Sequence, residues 1–505
     1  MNLLQTIKRM RAIGAPILAI QSADQLTTVQ TLQAGLNGAS PLIQWDCVRG
    51  FLALNKAGQA ALAGVCRDQD ANTFVAPRAA LIALQEVAEN SIIVLMNAQR
   101  MIDDFAVLQG VMNLRDQFKA NNRTLILLGP DFRLPVELTA DVLTVDEPLP
   151  TPEEIKAILK PLWDENQIKY DDKIMSSAVD ALRGLASFAV EQAAALAITS
   201  DGGVDIPDMW ERKRRMIEQT PGLSMERPGV NLDQIGGLEQ FKEWARRLFS
   251  GPRKPRLIVL IDEIEKAVSG AGGESSQGDT SGTSQDQVLV LLKGMEDHNY
   301  TGALNCGPAG GGKTYVVRAL AASYGVPLVS RDLGAAKGSL VGESEQKMRA
   351  QEKTINAIAG DGGALVFGTC NSIANLSAPL RRRFRAGLYF FDLADADERV
   401  TIGALQSKAY GVKDDPAFWR AANGWSGANI RDCCENAYAL GCTIKEASAF
   451  VVSASSQDPE GVSRLRATAA GRFLSASYPG PYQIPATVAA PAIQTRKINK
   501  GEVGN

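Results

Sequence analysis

Histidine is nearly missing from this chain of 505 residues: His298 stands alone, in a polar turn. One imidazole cannot build a histidine metal site, and it argues against a histidine general base; the residue reads as solvated. The seven cysteines are scattered, only Cys433 and Cys434 being close together, and no CxxC pair occurs. Neither a zinc ribbon nor a disulfide framework is expected, and a reducing cytoplasm fits best. No apolar run approaches the roughly 18 residues that would span a bilayer, so the protein is expected to be soluble and without a membrane partner. Met1 to Ile13 lacks the continuous apolar stretch and cleavage site of a secretory signal. A strong charge imbalance is missing too. The formal net charge of −3 gives no general attraction to nucleic acid, although local basic clusters could act.

What is present is globular: apolar residues make up 45% and charged residues 22%. The length exceeds one ordinary core and predicts about two to four compact units. Short β-rich runs recur between helical segments at Ala15–Gln21, Pro41–Trp45, Ser91–Met96, Thr124–Leu128 and Asp141–Val145. They recur again at Arg256–Ile261, Ala303–Cys306, Pro327–Ser330, Ala364–Gly368 and Leu388–Asp392. Alternation of strand and helix predicts an α/β fold with parallel sheets flanked by helices. Each half ends in a helical tail, introduced by Gly184-Leu185-Ala186-Ser187 in one and Gly424-Trp425-Ser426-Gly427 in the other, which suggests internal duplication. Between the halves, residues 201–230 read as a polar linker whose basic cluster, Arg212 to Arg215, is a solvated helix face. Ser269–Ser284 is Gly/Ser-rich and reads as a mobile loop; order weakens from about Ser455, and Ala486–Asn505 reads as a tail.

Gly307, Pro308, Ala309, Gly310, Gly311, Gly312, Lys313 and Thr314 match GxxxxGK[ST], between a β-run and a helical segment. Such a loop turns backbone N–H groups onto phosphates, with Lys313 on the terminal phosphates and Thr314 on Mg²⁺. Leu257–Ile261 is an apolar strand delivering Asp262 and Glu263 at its C-terminal tip, where α/β sheets bind ligands. Asp262 is expected to hold Mg²⁺ through water and Glu263 to polarise the attacking water. Asn371, after the run Ala364–Gly368, could orient that water; alone it would be a turn residue. Arg381, Arg382, Arg383 and Arg385 suit a developing phosphoryl charge, with solvated surface or nucleic-acid contact as the competing accounts.

Together these residues resemble the AAA ATPases, closely from about Asn231 to Ala449. Asp233 to Leu238 resembles the segment that touches adenine in that family, which places Ile235 and Gly236 at the nucleotide; Val341-Gly342-Glu343-Ser344-Glu345 is similar to its VGESE signature. The resemblance puts Asn371 at the sensor 1 position and Arg381 and Arg383 at the arginine-finger positions, which act on a neighbouring subunit's nucleotide. Gly424–Ile430 resembles the start of the sensor 2 helix, where Arg431 could approach the γ-phosphate. In one respect the chain departs from the family: the Asp262–Glu263 strand precedes the P-loop. Moving Arg256–Gly302 to follow Gly363 restores the family order, as in an internal circular permutation; the Asn371 strand should then lie between the Lys313 and Asp262 strands. Leu340 stands where many relatives carry an aromatic pore residue, which leaves polypeptide threading less secure than hydrolysis. The first half resembles a decayed AAA module, with Gln21–Leu26 and Met96-Asn97 in place of the phosphate and carboxylate motifs.

The resemblance thus implies a P-loop NTPase of two tandem modules: residues 1–150 degenerate α/β, 151–200 lid-like helices, 201–230 linker, 231–393 active permuted α/β, 394–453 helical lid, and 454–505 extension and tail. It further implies ATP and Mg²⁺ as ligands, ATP hydrolysis, a homo-oligomeric ring such as a hexamer, and remodelling of a protein client. A nucleic-acid-dependent motor or clamp loader, and a nucleotide-gated scaffold, are the alternatives.

Overall fold

The computed structural model describes residues 3–485 except 37, 39, 67–72, 228, 269–292, 333–342, 361 and 377; at 343–346, 375 and 379 it describes the backbone alone. The expected mobile loop Ser269–Ser284, Leu340, the Ala486–Asn505 tail, and Val341 and Gly342 of the VGESE-like signature lie outside these residues. The chain forms two compact units, Met1–Arg212 and Lys213–Asn505.

In the first unit the strands are β1 (Ile17–Gln21), β2 (Leu42–Asp46), β3 (Gly50–Ala53), β4 (Ile92–Leu95), β5 (Thr124–Gly129) and β6 (Leu143–Asp146). Their order is β3-β2-β4-β5-β1-β6, parallel except for the hairpin partner β3. In the second unit they are β7 (Leu223–Met225), β8 (Leu257–Ile261), β9 (Thr301–Cys306), β10 (Leu328–Arg331), β11 (Ala364–Cys370), β12 (Gly387–Phe390) and β13 (Leu474–Ser475). Their order is β13-β12-β9-β11-β8-β10-β7, with β7 antiparallel at one edge. The series β2-β4-β5-β1-β6 and β10-β8-β11-β9-β12 place corresponding strands in the same spatial order, although β8 precedes β9 in the chain where its counterpart β4 follows β1. The β11 strand does lie between β9 and β8, as the permuted reading requires.

Central strands such as β5, β8 and β11 are buried along their whole length, which explains why they read as unbroken apolar runs. Alternate residues feed opposite faces: Leu257, Val259 and Ile261 enter one core cluster, Ile258 and Leu260 another. Helices begin where a side chain can satisfy free N–H groups. Asp395 caps the Ala396–Tyr410 helix through a capping box with Glu398, and Ser426 caps Gly427–Leu440 with Asn429.

Two expectations fail. Residues 201–230 contain the helix Ile206–Ile217 and strand β7 rather than a plain linker. Their basic cluster is a solvated face only in part: Arg215 is exposed, but Lys213 is wholly buried and Arg212 and Arg214 pair with Asp208 and Glu218 one turn away. Order also persists past Ser455: the helix Pro459–Ala469 leads to β13, and Tyr482 is buried. Edge strands two or three residues long carry too little apolar pattern to be seen in sequence. Among the described residues no helix is long and apolar enough to cross a membrane.

Candidate active site

The loop after strand β9 needs glycine at two positions in particular. At Gly307 φ is +153°, and a Cβ would stand 2.0 Å from the Phe391 carbonyl oxygen. At Gly310 φ is +76°, and a Cβ would stand 2.6 Å from Ser426 Oγ. The helix Lys313–Tyr324 follows directly. Lys313 is buried; its Nζ donates to the carbonyl oxygens of Gly307 at 2.9 Å and Pro308 at 2.7 Å. Burial holds its ammonium below the ordinary lysine range, opposed by Cys306, Cys370, Glu265 and Asp262.

Because β8, β11 and β9 run parallel, their C-terminal tips meet above this loop. Thr314 Oγ1 donates to Asp262 Oδ1 at 2.9 Å. The Thr369 hydroxyl donates to the same Asp262 oxygen and accepts the Glu263 N–H at 2.9 Å. Asn371 Nδ2 donates to Glu263 Oε1 at 3.2 Å, and Asn371 N–H donates to Glu265 Oε1 at 2.8 Å. Glu263 has a left-handed backbone, φ +50°, a strained conformation for a glutamate, and it pairs with Lys266.

These groups border a cavity of about 400 Å³, within the range of small-molecule sites. Ile235 and Gly236, Ala309 to Thr314, Asp262, Glu263, Asn371 and Arg431 all line it. Its far wall comes from the helices Ala396–Tyr410 and Gly427–Leu440, including Ile402, Leu405 and Ala428. Leu238 N–H donates to Glu398 Oε1 at 3.2 Å, tying the Ile235–Leu238 segment to the first of these helices. Arg431 turns aside to Asp432 at 2.8 Å, and this hydrogen bond holds its pKa above the ordinary arginine value.

Not every expected residue is here. Gly307 and Pro308 give carbonyls to Lys313 and do not line the cavity. Arg381 and Arg382 border a separate cleft with Arg472 and Phe473, and Arg383 pairs with Glu296. Sequence reasoning missed Thr369, Arg318, Asp392 and Glu398, all on the cavity wall. Thr369 stood two residues before Asn371 on the same strand, the one local signal. Asp392 carried none: it is held by Arg466 Nε at 2.8 Å and Tyr482 Oη at 2.6 Å, both distant in sequence.

In the first unit, Asn97 lies just past the tip of β4 with φ +52°, as Glu263 does past β8. Asparagine tolerates that conformation but supplies no carboxylate. Asn97 exchanges hydrogen bonds with Gln25, at 2.8 and 3.0 Å.

Residues 3–147 match the family model for the N-terminal domain of SpoVK-like AAA ATPases, and residues 153–220 match the model for their second domain. Residues 303–359 match the ATPase family associated with various cellular activities, AAA. That last match starts in β9 and stops before β11, as expected where β8 is out of its usual place in the chain. The chain is 20% identical over 486 residues to the "Uncharacterized AAA domain-containing protein ycf46" of Guillardia theta, covering 86% of each chain. It is 23% identical to the protein of the same name from Pyropia yezoensis, covering 85% of this chain and 88% of the relative. With the Gracilaria tenuistipitata var. liui protein of that name, identity is 27% over 260 residues, half of this chain. Two α/β units of one strand order, a glycine loop beneath converging carboxylates, and matches to AAA models in both halves lead to one conclusion: the chain belongs to the AAA ATPase family.

Proposed function

We propose that the second unit binds ATP with Mg²⁺ and hydrolyses it, and that the chain works as a homo-oligomeric ring that remodels a protein client. One observation carries the reading: Thr314, Asp262, Thr369, Glu263 and Asn371 form a connected hydrogen-bonded set directly above Lys313 and the glycine loop.

The residues fit the ligands. A carboxylate and a hydroxyl oxygen converge at Asp262 and Thr314, the hard oxygen donors that Mg²⁺ takes. The cradle at Gly307 and Gly310 has no room for a side chain. Mg²⁺ there would neutralise phosphate charge. Lys313 would exchange its two carbonyl partners for terminal phosphate oxygens, gaining charge-assisted bonds. Glu263 would align a water and take its proton, with Asn371 fixing the carboxylate. Ile235 and Gly236 would border the base. Arg431 would leave Asp432 for the γ-phosphate, and Arg381 and Arg383, outside the chain's own cavity, would serve a neighbour's nucleotide.

Membership in the AAA family supports hydrolysis and assembly. The nucleic-acid alternative leaned on the basic clusters near Arg212 and Arg381; the burial of Lys213 and the pairing of Arg212 and Arg214 weaken the first of these. The test is direct. Lys313→Ala should weaken ATP binding roughly a hundredfold. Glu263→Gln should bind normally and turn over about 10² to 10⁴ times more slowly. Ordinary hydrolysis by purified Glu263→Gln would remove the assigned base.

A further inference from the structure

In the first unit, the loop that corresponds to the phosphate cradle is only Ser22–Asp24, three residues against the six of Gly307–Gly312. Backbone bonding fixes the correspondence. Ser22 N–H donates to Gly129 O at 2.8 Å as Gly307 N–H donates to Cys370 O at 3.2 Å. Glu147 N–H donates to Gln21 O as Phe391 N–H donates to Cys306 O.

Asp24 ends the short loop and caps the helix Gln25–Gly35, its Oδ1 accepting the Thr27 N–H at 3.2 Å. Its other oxygen, Oδ2, accepts the Phe188 N–H at 3.2 Å, from a residue 164 positions away. Phe188 lies in the first turn of the helix Ser187–Leu196. That helix has Ala186 at its N-cap position and no acidic residue in its first turn, so it supplies no side-chain cap of its own. The corresponding helix of the second unit, Gly427–Leu440, is capped by its own Ser426. Left-handed glycines, Gly184 at φ +88° and Gly424 at φ +77°, stand at the same distance before each helix.

One carboxylate therefore joins two helix N-termini, the positive ends that attract an anion. The polar groups beside the short loop bond to one another: Thr28 Oγ1 lies 2.6 Å from Glu147 Oε2 and 2.7 Å from Ser22 Oγ, with Thr28 and Ser22 buried. We propose that Asp24 is an internal anion that takes the place of nucleotide phosphate in the first unit and latches its helical segment onto the sheet module. This half is then held closed without a ligand.

Hydrogen exchange on the full chain tests the latch. Asparagine has one acceptor oxygen, enough to cap Gln25–Gly35 but not to serve both helices. In Asp24→Asn, exchange should rise about fivefold or more at Phe188. The rise should extend across Pro152–Glu165, Asp172–Leu182 and Ser187–Leu196, while the Thr27 amide stays protected. Asp24→Ala should expose both helix starts. Wild-type exchange at Phe188 in Asp24→Asn, or a rise confined to its own turn, would overturn the latch. ATP added to Lys313→Ala protein should leave exchange of residues 21–28 unchanged; protection there would show an open phosphate site and overturn the proposal equally.

Discussion

At the residue scale, the site turns on two side chains whose environments differ from their sequence context. Lys313 is buried without a phosphate, and burial lowers its pKa. An arriving phosphate restores the charged form, so binding takes up a proton wherever the free amine is partly neutral. The expected outcome is an ATP affinity that falls as pH rises into the alkaline range, beginning below the usual lysine pKa of about 10.4. In Lys313→Arg, which keeps its charge, the slope by titration calorimetry should flatten. Thr369 is a positioning residue, holding Asp262 and the Glu263 backbone together. Thr369→Val should lower kcat roughly tenfold, the loss of about one charge-assisted hydrogen bond, with KM nearly unchanged. Thr369→Ser should restore it; a loss that serine does not rescue would mean that the methyl, not the hydroxyl, matters.

At the element scale, the cavity is closed by contacts between the glycine loop and the start of the Gly427–Leu440 helix. A Cβ on Gly310 would meet Ser426 Oγ at 2.6 Å and Ala428 Cβ at 3.0 Å, on a left-handed backbone. Gly310→Ala should cost about 1–3 kcal/mol in strain and weaken ATP binding at least about tenfold, measurable by calorimetry. The C-terminal extension is equally structural. Tyr482 and Arg466 bind Asp392 at the tip of β12, and β13 covers the edge of that strand. Tyr482→Phe leaves a half-buried carboxylate with one fewer donor, a loss of about 2 kcal/mol, and should lower the melting temperature of the second unit by about 5 °C. An unchanged melting curve would mean that water replaces the phenol.

At the scale of the whole molecule, the permutation is tolerable because parallel strands all begin at one edge and end at the other. Chain order can change while the tips that carry Asp262, Thr369 and Asn371 stay in place. Arg256 N–H donates to Gly363 O at 2.8 Å, so the start of the β8 segment already lies beside the residue that precedes β11. If the arginines serve an adjacent subunit, mixing Arg383→Ala with Lys313→Ala should recover turnover that neither has alone, finger residues being worth about 10³ to 10⁵ in rate. No recovery in mixed assemblies would assign Arg383 to its pair with Glu296 instead.

Local chemistry was enough to read the glycine loop, the buried strands and the Asp262–Glu263 tip, because each depends on a few adjacent residues: glycine where φ is positive, apolar side chains where both faces are covered, acids where a strand ends. The sequence by itself therefore determined the α/β class, the doubled plan and the glycine loop. Only the tertiary structure decided what lies beside what. The position of β11 between β9 and β8, the grip of Thr369 on Asp262, the bracing of Asp392 by Tyr482 and the reach of Asp24 to Phe188 all join residues 74 or more apart or set the order of strands. Such contacts leave no periodicity in the chain. Burial of Lys213 was hidden for the same reason, since a basic run looks solvated until the surrounding fold is known.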